Sequence, residues 1–589
     1  MKQCPKCNRA YHDETLNFCL DDGEWLEDSP ETAETIPFPH QGTLSEAPTR
    51  RVADAERSSG PAVERGSSAS AYPLKRPLVV VMIGAVVLGL SAYLAYKYFV
   101  DREQPAAIAS IAVLPFKSQN TDPDTEYLAD GLAESLIYRL SQLPTLRVSP
   151  TSTVFRYKGT ETDPSKVGKG LDVDAVLSGR IVQRGDSLLI SAELVDVRSN
   201  RLIWGERYDR KMSDLLFTQR EMAREIVDKL RLKVSQDEKG LTKQYTENNE
   251  AYQHYLKGRF YWNKRTGDAL QNAIENFNQA IALDPNFALA YAGLADCYVV
   301  PAIERAPHDV MPKAKAAALK ALELDDSLAE AHTSLGRVYA AYEWNWAAAE
   351  REYKRAIELN PRYSVAHQWY GGYLSVMGRH DEAVAERRLA VDLDPLSLTI
   401  NFELAQAYFY MGENEKAIDQ YQRTLELDPN FGPALQFLPA AYGQKGEYGK
   451  AIELFKSSPM LNRGGEWAMT KAGLAYVYAV TGQTREALAL IDELKTLSTT
   501  RYVPNSSIAL IYAGLGENDL AFSYLEKAYQ GHEFQLQWLV SEPRWNKLHS
   551  DPRFRNLLDR IGIPRETGAV EGLKSSVERK NKFPPHLKA

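Results

Sequence analysis

Three of the four cysteines lie within the first nineteen residues, at a spacing that is typical of zinc ligands. Cys4 and Cys7 form a Cys-x-x-Cys pair, and Cys19 follows after eleven intervening residues. Where a second pair would end, the chain has Asp22. Because a carboxylate can complete the tetrahedron that zinc prefers, we predict one zinc ion held by Cys4, Cys7, Cys19 and Asp22. Four protein ligands are typical of a structural site and leave no open position for catalysis.

Two alternatives to this ligand set stay open. His12 lies in the loop between the cysteines and is a rival fourth ligand, and a remnant that binds no metal is the other reading. The stretches "CPKC" and "FCLDDG" resemble the short zinc-ribbon modules of bacterial proteins. The resemblance implies a zinc ribbon over residues 1–27.

A membrane span is predicted further along the chain. Residues 78–100 read "LVVVMIGAVVLGLSAYLAYKYFV" and carry one charged side chain, Lys97, close to the end. A helix of this length crosses roughly 30 Å of hydrocarbon. Six Lys and Arg residues fall in the thirty positions before the span and two in the thirty after it. The positive-inside rule therefore predicts a single-pass protein of the inner (plasma) membrane, with a cytoplasmic N-terminus and an extracytoplasmic, periplasmic remainder.

Composition limits what the other segments do. Residues 28–77 are rich in Glu, Ser, Thr, Pro and Ala, so they are predicted to be a disordered linker, and residues 565–589 a disordered tail. The net charge of −8 over 589 residues argues against a nucleic-acid-binding surface, apart from a possible contact of the zinc ribbon. Four cysteines are too few for a disulfide-stapled secreted protein.

Residues 107–236 alternate strand and helix patterns. "IASIAVLPF" predicts a buried strand, and Leu128, Leu132, Leu136 and Leu140 predict a helix. Residues 175–210 predict a three-stranded meander, which a helix from residue 214 to about residue 234 follows. The motifs "IAVLPF", "YLADGLAESLIYRLSQLPTLRV", "VLSGRI" and "LIWGERYDR" resemble the domain related to the N-terminal part of TolB. The resemblance implies an α/β unit without established catalytic machinery, as found beside tetratricopeptide repeats (TPR) in CadC-type membrane regulators and cyclase-associated chains.

A 34-residue period dominates residues 249–533. Turn glycines recur at 378, 412, 446, 482 and 516, and an alanine follows each of them five residues later. Prolines at 361, 395 and 429 are 34 residues apart, which is the tetratricopeptide period. We expect about eight helical hairpins in a superhelical solenoid whose concave face binds extended peptide, and a helical cap over residues 534–564.

The predicted fold class is thus multidomain, with a small zinc ribbon, one transmembrane helix, a TolB-like α/β domain and an all-α TPR solenoid. The sequence predicts a membrane-anchored scaffold or sensor that binds a protein or peptide and has no catalytic residues. The alternatives are a regulatory subunit that acts in trans on a cyclase or on the transcription machinery, and an envelope-assembly scaffold that does not signal.

Overall fold

The computed structural model describes residues 108–563, with gaps at 119–122, 144, 161–162, 231–242, 265–266, 301–304 and 462–467, and three short strands before residue 29. The predicted linker, span and tail lie outside the described residues. Within the described ranges, none of the helices combines the length and the apolar character of a membrane span.

The N-terminal segment contains a small antiparallel sheet. Strands β1 (Lys2–Gln3), β2 (Ala10–Tyr11) and β3 (Glu27–Asp28) pair in the order β2-β1-β3. In sequence, Cys4 and Cys7 fall between β1 and β2, and Cys19 and Asp22 fall between β2 and β3. These four residues and His12 lie outside the described residues, so the zinc site stays a prediction.

A mixed six-stranded sheet forms the α/β domain, as predicted. Its order is β6-β4-β7-β8-β9, and β5 also pairs with β7. The first three strands of this domain run parallel to their neighbours, and β7, β8 and β9 form the antiparallel meander. The strands are β4 (Ser110–Val113), β5 (Lys117–Ser118), β6 (Arg147–Val148), β7 (Ala175–Arg184), β8 (Ser187–Asp196) and β9 (Arg201–Lys211).

The helices of this domain cover the sheet and close its core. Helices α1 and α4 pack on each other and on the strands, while α3 packs against β7 and β8. The last helix ends at Lys229, earlier than the predicted end, and β5 was not predicted because two residues carry no periodicity. The helices are α1 (Pro123–Ser141), α2 (Thr151–Val154), α3 (Pro164–Gly170) and α4 (Leu215–Lys229).

Eight consecutive helical hairpins follow in the described part of the chain, which confirms the all-α class of this region. Their helices are α5 (Asn249–Lys264), α6 (Gly267–Leu283), α7 (Ala288–Val299), α8 (Pro307–Leu324), α9 (Ala329–Ala341), α10 (Trp346–Leu359), α11 (Ser364–Val376), α12 (His380–Leu393), α13 (Leu398–Tyr410), α14 (Asn414–Leu427), α15 (Gly432–Lys445), α16 (Tyr448–Ser457), α17 (Ala468–Val480), α18 (Thr484–Leu497), α19 (Asn505–Leu515) and α20 (Asn518–Gln530).

The hairpin turns show why the repeat needs its glycines and alanines. All five predicted turn glycines adopt positive φ, between 73° and 92°, which residues with a Cβ rarely adopt. The five alanines that follow them are at most 1% exposed, so each helix pair packs closely at that point. Trp344 takes the place of a turn glycine between α9 and α10 and itself adopts φ +52°.

The N-terminal end of the array shares its core with the α/β domain. One continuous cluster of buried side chains extends from the sheet through α1 and into the first three hairpins. Helix α1 lies so close to α5 that a Cβ on Gly131 would be 2.9 Å from the Cβ of Leu256. The domain therefore covers the apolar face that the first hairpin would otherwise expose to water.

The C-terminal element, residues 534–561, covers the other end. It consists of two 3-10 turns, Phe534–Trp538 and Pro543–Leu548, and helix α21, Pro552–Ile561. It packs on the last hairpin as expected, but it also reaches the third one, where the indole of Trp346 donates a hydrogen bond to the carbonyl of Ile561 at 3.0 Å. The predicted cap is therefore also a contact between distant hairpins.

Candidate functional site

The array encloses a chamber of about 1810 Å³. Its wall is built from the first helices of the hairpins, from α1 and the loops around α2 and α3, and from the C-terminal element. Six of the residues that line it, from successive parts of the chain, are Tyr255, Asp296, Arg337, Gln406, Phe437 and Trp538. The α/β domain, the hairpin array and the C-terminal element thus all contribute to the chamber wall.

A paired cluster of charges, Glu134, Arg259 and Asp296, lies where α1 meets the first hairpins. The guanidinium of Arg259 donates to Glu134 at 2.8 Å, and it lies 3.7 Å from the carboxylate of Asp296. Asn263 donates to the second oxygen of Glu134 at 2.8 Å, so both carboxylate oxygens have a partner. Burial opposes the charge of Arg259, but Glu134 and Asp296 outweigh this effect and raise its pKa. The cluster fastens the α/β domain to the array.

Glu330 lines the chamber beside this cluster. Burial, reinforced by the charge of Asp296, raises the pKa of the Glu330 carboxyl to about 7. Asp296 itself accepts a hydrogen bond from the buried hydroxyl of Ser334 at 2.6 Å. The chamber therefore contains an acid whose charge changes near neutral pH.

The middle of the wall carries Arg337, whose guanidinium lies between two rings. Its centre is 5.3 Å from the ring of Trp369 and 4.5 Å from the ring of Phe534. Phe534 belongs to the C-terminal element, so this arginine sits where that element meets α9. The rings limit its rotation, and cation–π contact compensates part of its lost hydration.

The C-terminal side of the wall is aromatic, with one closed ion pair. Trp538 stacks on Tyr410 with ring centroids 4.8 Å apart. Arg544 donates two hydrogen bonds to Glu542, at 2.8 and 3.0 Å, and both side chains are largely buried. Glu533 caps the start of α19 by accepting from the backbone amide of Ser506 at 2.9 Å. The stacking of Trp538 on Tyr410 holds the C-terminal element against the array, whereas the pair of Arg544 and Glu542 lies within the element.

A contact across the chamber joins the α/β domain to the fourth hairpin. The hydroxyl of Ser152 donates to the carboxylate of Asp394, and Thr153 lies 3.5 Å from the same oxygen. Burial raises the pKa of Asp394. The domain thus contacts the fourth hairpin as well as the first hairpins.

The chamber is larger than a pocket for a small molecule, which typically measures about 300–1,000 Å³. Its lining combines rings with side chains that can donate or accept hydrogen bonds, among them Gln368, Gln406 and Gln436. Such a surface can bind apolar side chains and a peptide backbone at the same time. Among the described residues, no group of three or more His, Cys, Asp or Glu side chains could hold a metal ion.

The predicted zinc ligands Cys4, Cys7, Cys19 and Asp22 lie outside the described residues, so the structure does not test them. Conversely, the sequence did not identify the paired cluster or Arg337 as site residues. The two partners Glu134 and Arg259 are 125 positions apart, and no local pattern connects them. The sequence could have indicated Arg337, because it is a charged residue on the first helix of a hairpin, and these helices line the chamber.

Comparison with known families defines the class of the two regions. The family described as HilA/YgeH-like transcriptional regulator, second domain, matches residues 107–226. The tetratricopeptide repeat family matches residues 401–431. The chain thus combines a HilA-like, CadC-like regulator domain with a TPR region.

Curated relatives match parts of the chain. A Rhizobium meliloti protein named "Putative adenylate cyclase 3" is 31% identical over 236 residues, which are 39% of this chain and 40% of the relative. The transcriptional regulator HilA of Salmonella typhimurium is 26% identical over 295 residues, which are 49% of this chain and 51% of HilA. The chain therefore spans about half the length, or less, of these relatives.

Solved structures also match parts of the chain. Pseudomonas aeruginosa PilF is 23% identical and covers 37% of this chain and 94% of its own, with a TM-score of 0.29. YrrB, described as a TPR protein with an unusual peptide-binding site, is 22% identical and covers 34% of this chain and 97% of its own, with a TM-score of 0.24.

Proposed function

We propose that this chain is a membrane-anchored sensor or scaffold whose chamber binds an extended segment of a protein or peptide. The observation that carries the proposal is the chamber itself, at about 1810 Å³ and lined by rings and amide side chains. Its size exceeds the usual small-molecule pocket, and TPR solenoids present concave surfaces of this kind to their partners. The chain performs no chemistry of its own in this proposal.

The relatives favour a regulatory use of the bound segment. HilA is named a transcriptional regulator, and the Rhizobium relative is named for a cyclase. In this use, the chain would act in trans on transcription machinery or on a cyclase. An envelope-assembly scaffold without signalling is the second candidate, and the same chamber would serve it.

The membrane anchor and the zinc ribbon complete the proposal. Residues 78–100 would form the single span, and the ribbon would hold zinc through Cys4, Cys7, Cys19 and Asp22 in the cytoplasm. Three short strands that flank the cysteine segments support a small ribbon there. A module with so small a core would draw most of its folding free energy from the metal.

Photo-crosslinking tests where a partner binds. A benzophenone amino acid replaces Gln406 in the chamber, and the matched control replaces Leu488, which is 43% exposed on α18. We expect a discrete adduct in cells from the chamber position alone. Equal adducts at both positions, or none at Gln406, would contradict binding in the chamber.

Two further tests address the anchor and the ribbon. A reporter that is active only outside the cytoplasm should give signal when fused after residue 240 and none when fused at residue 60.

Cobalt titration of a peptide of residues 1–27 should give the absorption bands of tetrahedral cobalt. Asp22→Ala should weaken these bands, and His12→Ala should leave them in place. Loss of the bands in the His12 variant alone would make histidine the fourth ligand.

A further inference from the structure

Arg387 occupies a position that neighbouring hairpins fill with a buried ring. Counting by 34 residues, its equivalents are Tyr353, Tyr421 and Phe455, and all four side chains are at most 1% exposed. Arg387 also packs as closely against a glycine of the facing helix as Tyr353 does. A Cβ on Gly371 would lie 2.7 Å from Cγ of Arg387, just as one on Gly336 would lie 2.9 Å from the ring of Tyr353. An arginine therefore replaces an apolar core residue here.

The hydrogen-bonding capacity of Arg387 is only partly used. One terminal nitrogen donates to the backbone carbonyl of Glu403 at 2.5 Å, and the other lies 3.7 Å from its carboxylate. Within the described part of the chain, Nε and Nη2 of Arg387 have no hydrogen-bond partner. A buried guanidinium in this state is costly, because burial removes water without supplying full replacement.

Arg337 lies on the chamber side of the same region. Phe534 contacts its guanidinium, and the ring of Phe534 lies 6.4 Å from that of Trp538. A Cβ on Gly372 would be 3.7 Å from Trp538 and 3.3 Å from Nη2 of Arg387, so no side chain separates the two at this point. Burial, together with the like charge of Arg337, lowers the pKa of Arg387.

These two arginines, the arginine pair, differ from Arg259 and Arg544 of the chamber wall. Arg259 and Arg544 each contact a carboxylate at 2.8 Å. Among the described residues, no carboxylate lies within ion-pair distance of Arg337, and Arg387 has only the distant carboxylate of Glu403. Two guanidinium charges and one carboxylate leave one net positive charge beside Trp369, Phe534 and Trp538.

We propose that the arginine pair binds a carboxylate of the peptide that occupies the chamber. Arg337 would donate to it from the chamber wall, and Arg387 would supply charge and N–H groups from behind Gly372. A single net positive charge suits a carboxylate better than a doubly charged phosphate, and planar guanidinium groups bind carboxylates through two parallel hydrogen bonds. The inference rests on the proposed function, since it names the chemistry of the chamber's ligand.

The test uses the purified full-length chain and three fluorescent peptide pools. The pools are randomised except for one central residue, which is Glu, Gln or Lys. We expect the Glu pool to bind about tenfold more tightly than the Gln pool, as a charge-assisted hydrogen bond would produce. Arg337→Gln and Arg387→Met should each abolish this preference, and circular dichroism checks that both variants fold.

Arg553→Gln is the matched control, because Arg553 forms ion pairs on the outer surface with Asp519 and Asp551. It should keep the preference for the Glu pool. Equal binding of the Glu and Gln pools, or a preference that survives both variants, would overturn the carboxylate site and leave the proposed function standing. If none of the pools binds, the proposed function fails together with the inference.

Discussion

The paired cluster satisfies its buried charges, whereas the arginine pair leaves them largely unpaired. Arg337 lines the same chamber as the paired cluster, and Arg387 is buried outside the lining. Arg259 pairs with the carboxylates of Glu134 and Asp296, Asn263 donates to Glu134, and these contacts join the α/β domain to the first hairpins. Arg337 lies farther along the wall between two rings, and Arg387 is buried beside Gly372, outside the chamber lining. A closed ion pair adds cohesion between two parts of the chain, whereas an open guanidinium costs stability and provides binding capacity.

Each end of the array adds to this contrast. The N-terminal hairpins share a core with the sheet of the α/β domain. Charged side chains of these hairpins can therefore form ion pairs with residues of that domain. The C-terminal hairpins are covered by a segment of their own chain, which supplies Phe534 and Trp538. Charges are therefore paired with carboxylates where the domain meets the array, whereas Arg337 and Arg387 near the C-terminal element have no close carboxylate among the described residues.

The largest effect is expected where the paired cluster is broken. Glu134→Ala leaves the guanidinium of Arg259 with only the more distant carboxylate of Asp296, and should cost about 3–5 kcal/mol of unfolding free energy. Urea denaturation followed by circular dichroism measures the change. The double variant Glu134→Met, Arg259→Met should recover most of the loss, because apolar replacement of a whole buried pair is close to neutral. A loss below about 1 kcal/mol for the single variant would show that the cluster does not hold the domain to the array.

A pH series separates the contribution of Glu330 to stability from that of the paired cluster beside it. Because its pKa is raised from 4.5 to about 7, the folded chain holds a proton that the unfolded chain releases in this interval. Stability should therefore fall as pH rises from about 4.5 to about 7, and Glu330→Gln should add about 2 kcal/mol at about pH 8 and little at about pH 4. Thermal unfolding across the series measures both.

Asp130, whose pKa burial raises to about 6, adds a dependence of the same sign, so the relevant quantity is the difference between the wild-type chain and the variant. Glu426→Gln, on the exposed side of α14, is the control and should leave the slope unchanged. An unaltered slope in the Glu330 variant would remove this residue from the pH response.

The reverse sign is expected at the arginine pair. Arg387→Met removes an incompletely paired buried charge and restores an apolar side chain of similar reach. It should stabilise the chain by about 1–2 kcal/mol, in contrast to the loss at the paired cluster. Arg387→Tyr, which copies Tyr353 and Tyr421 of the equivalent positions, tests the same point with a ring. Destabilisation by both variants would mean that Arg387 is a structural residue.

Features of the fold and of the site that depend on nearby residues could be predicted from the sequence, whereas contacts between residues far apart in the chain could not. The 34-residue period gave the hairpins, and the turn glycines with positive φ and the buried alanines follow from local rules. The replacement of a ring by Arg387 was also readable from that period. The contact between Ser152 and Asp394 was not, because the residues are 242 positions apart and meet only through the curvature of the array.

The contacts of Trp344 also could not be predicted, because they join residues far apart in the chain. They support the prediction with the smallest expected effect. The sequence shows only that a turn glycine is missing there, but the structure stacks this indole on His532, with centroids 4.6 Å apart, and on Tyr529 at 5.2 Å. His532 also donates to the carbonyl of Tyr342 at 2.8 Å. These contacts lie two residues before Phe534, the ring that covers Arg337. Trp344 therefore connects the third hairpin to the element that completes the arginine pair's surroundings.

Trp344→Gly should relieve the strained φ and lose the stacking, and the two effects oppose each other. Stacking of aromatic rings contributes about 0.5–1.5 kcal/mol beyond area burial, and a positive φ costs a comparable amount, so the net loss should be about 1 kcal/mol once the buried ring area is included. Hydrogen exchange gives the sharper readout. Residues 532–548 should exchange faster in the variant, while α1 and α5 at the paired cluster keep their protection. Faster exchange at both ends would mean that the two regions unfold together, and the contrast between them would then have no energetic basis.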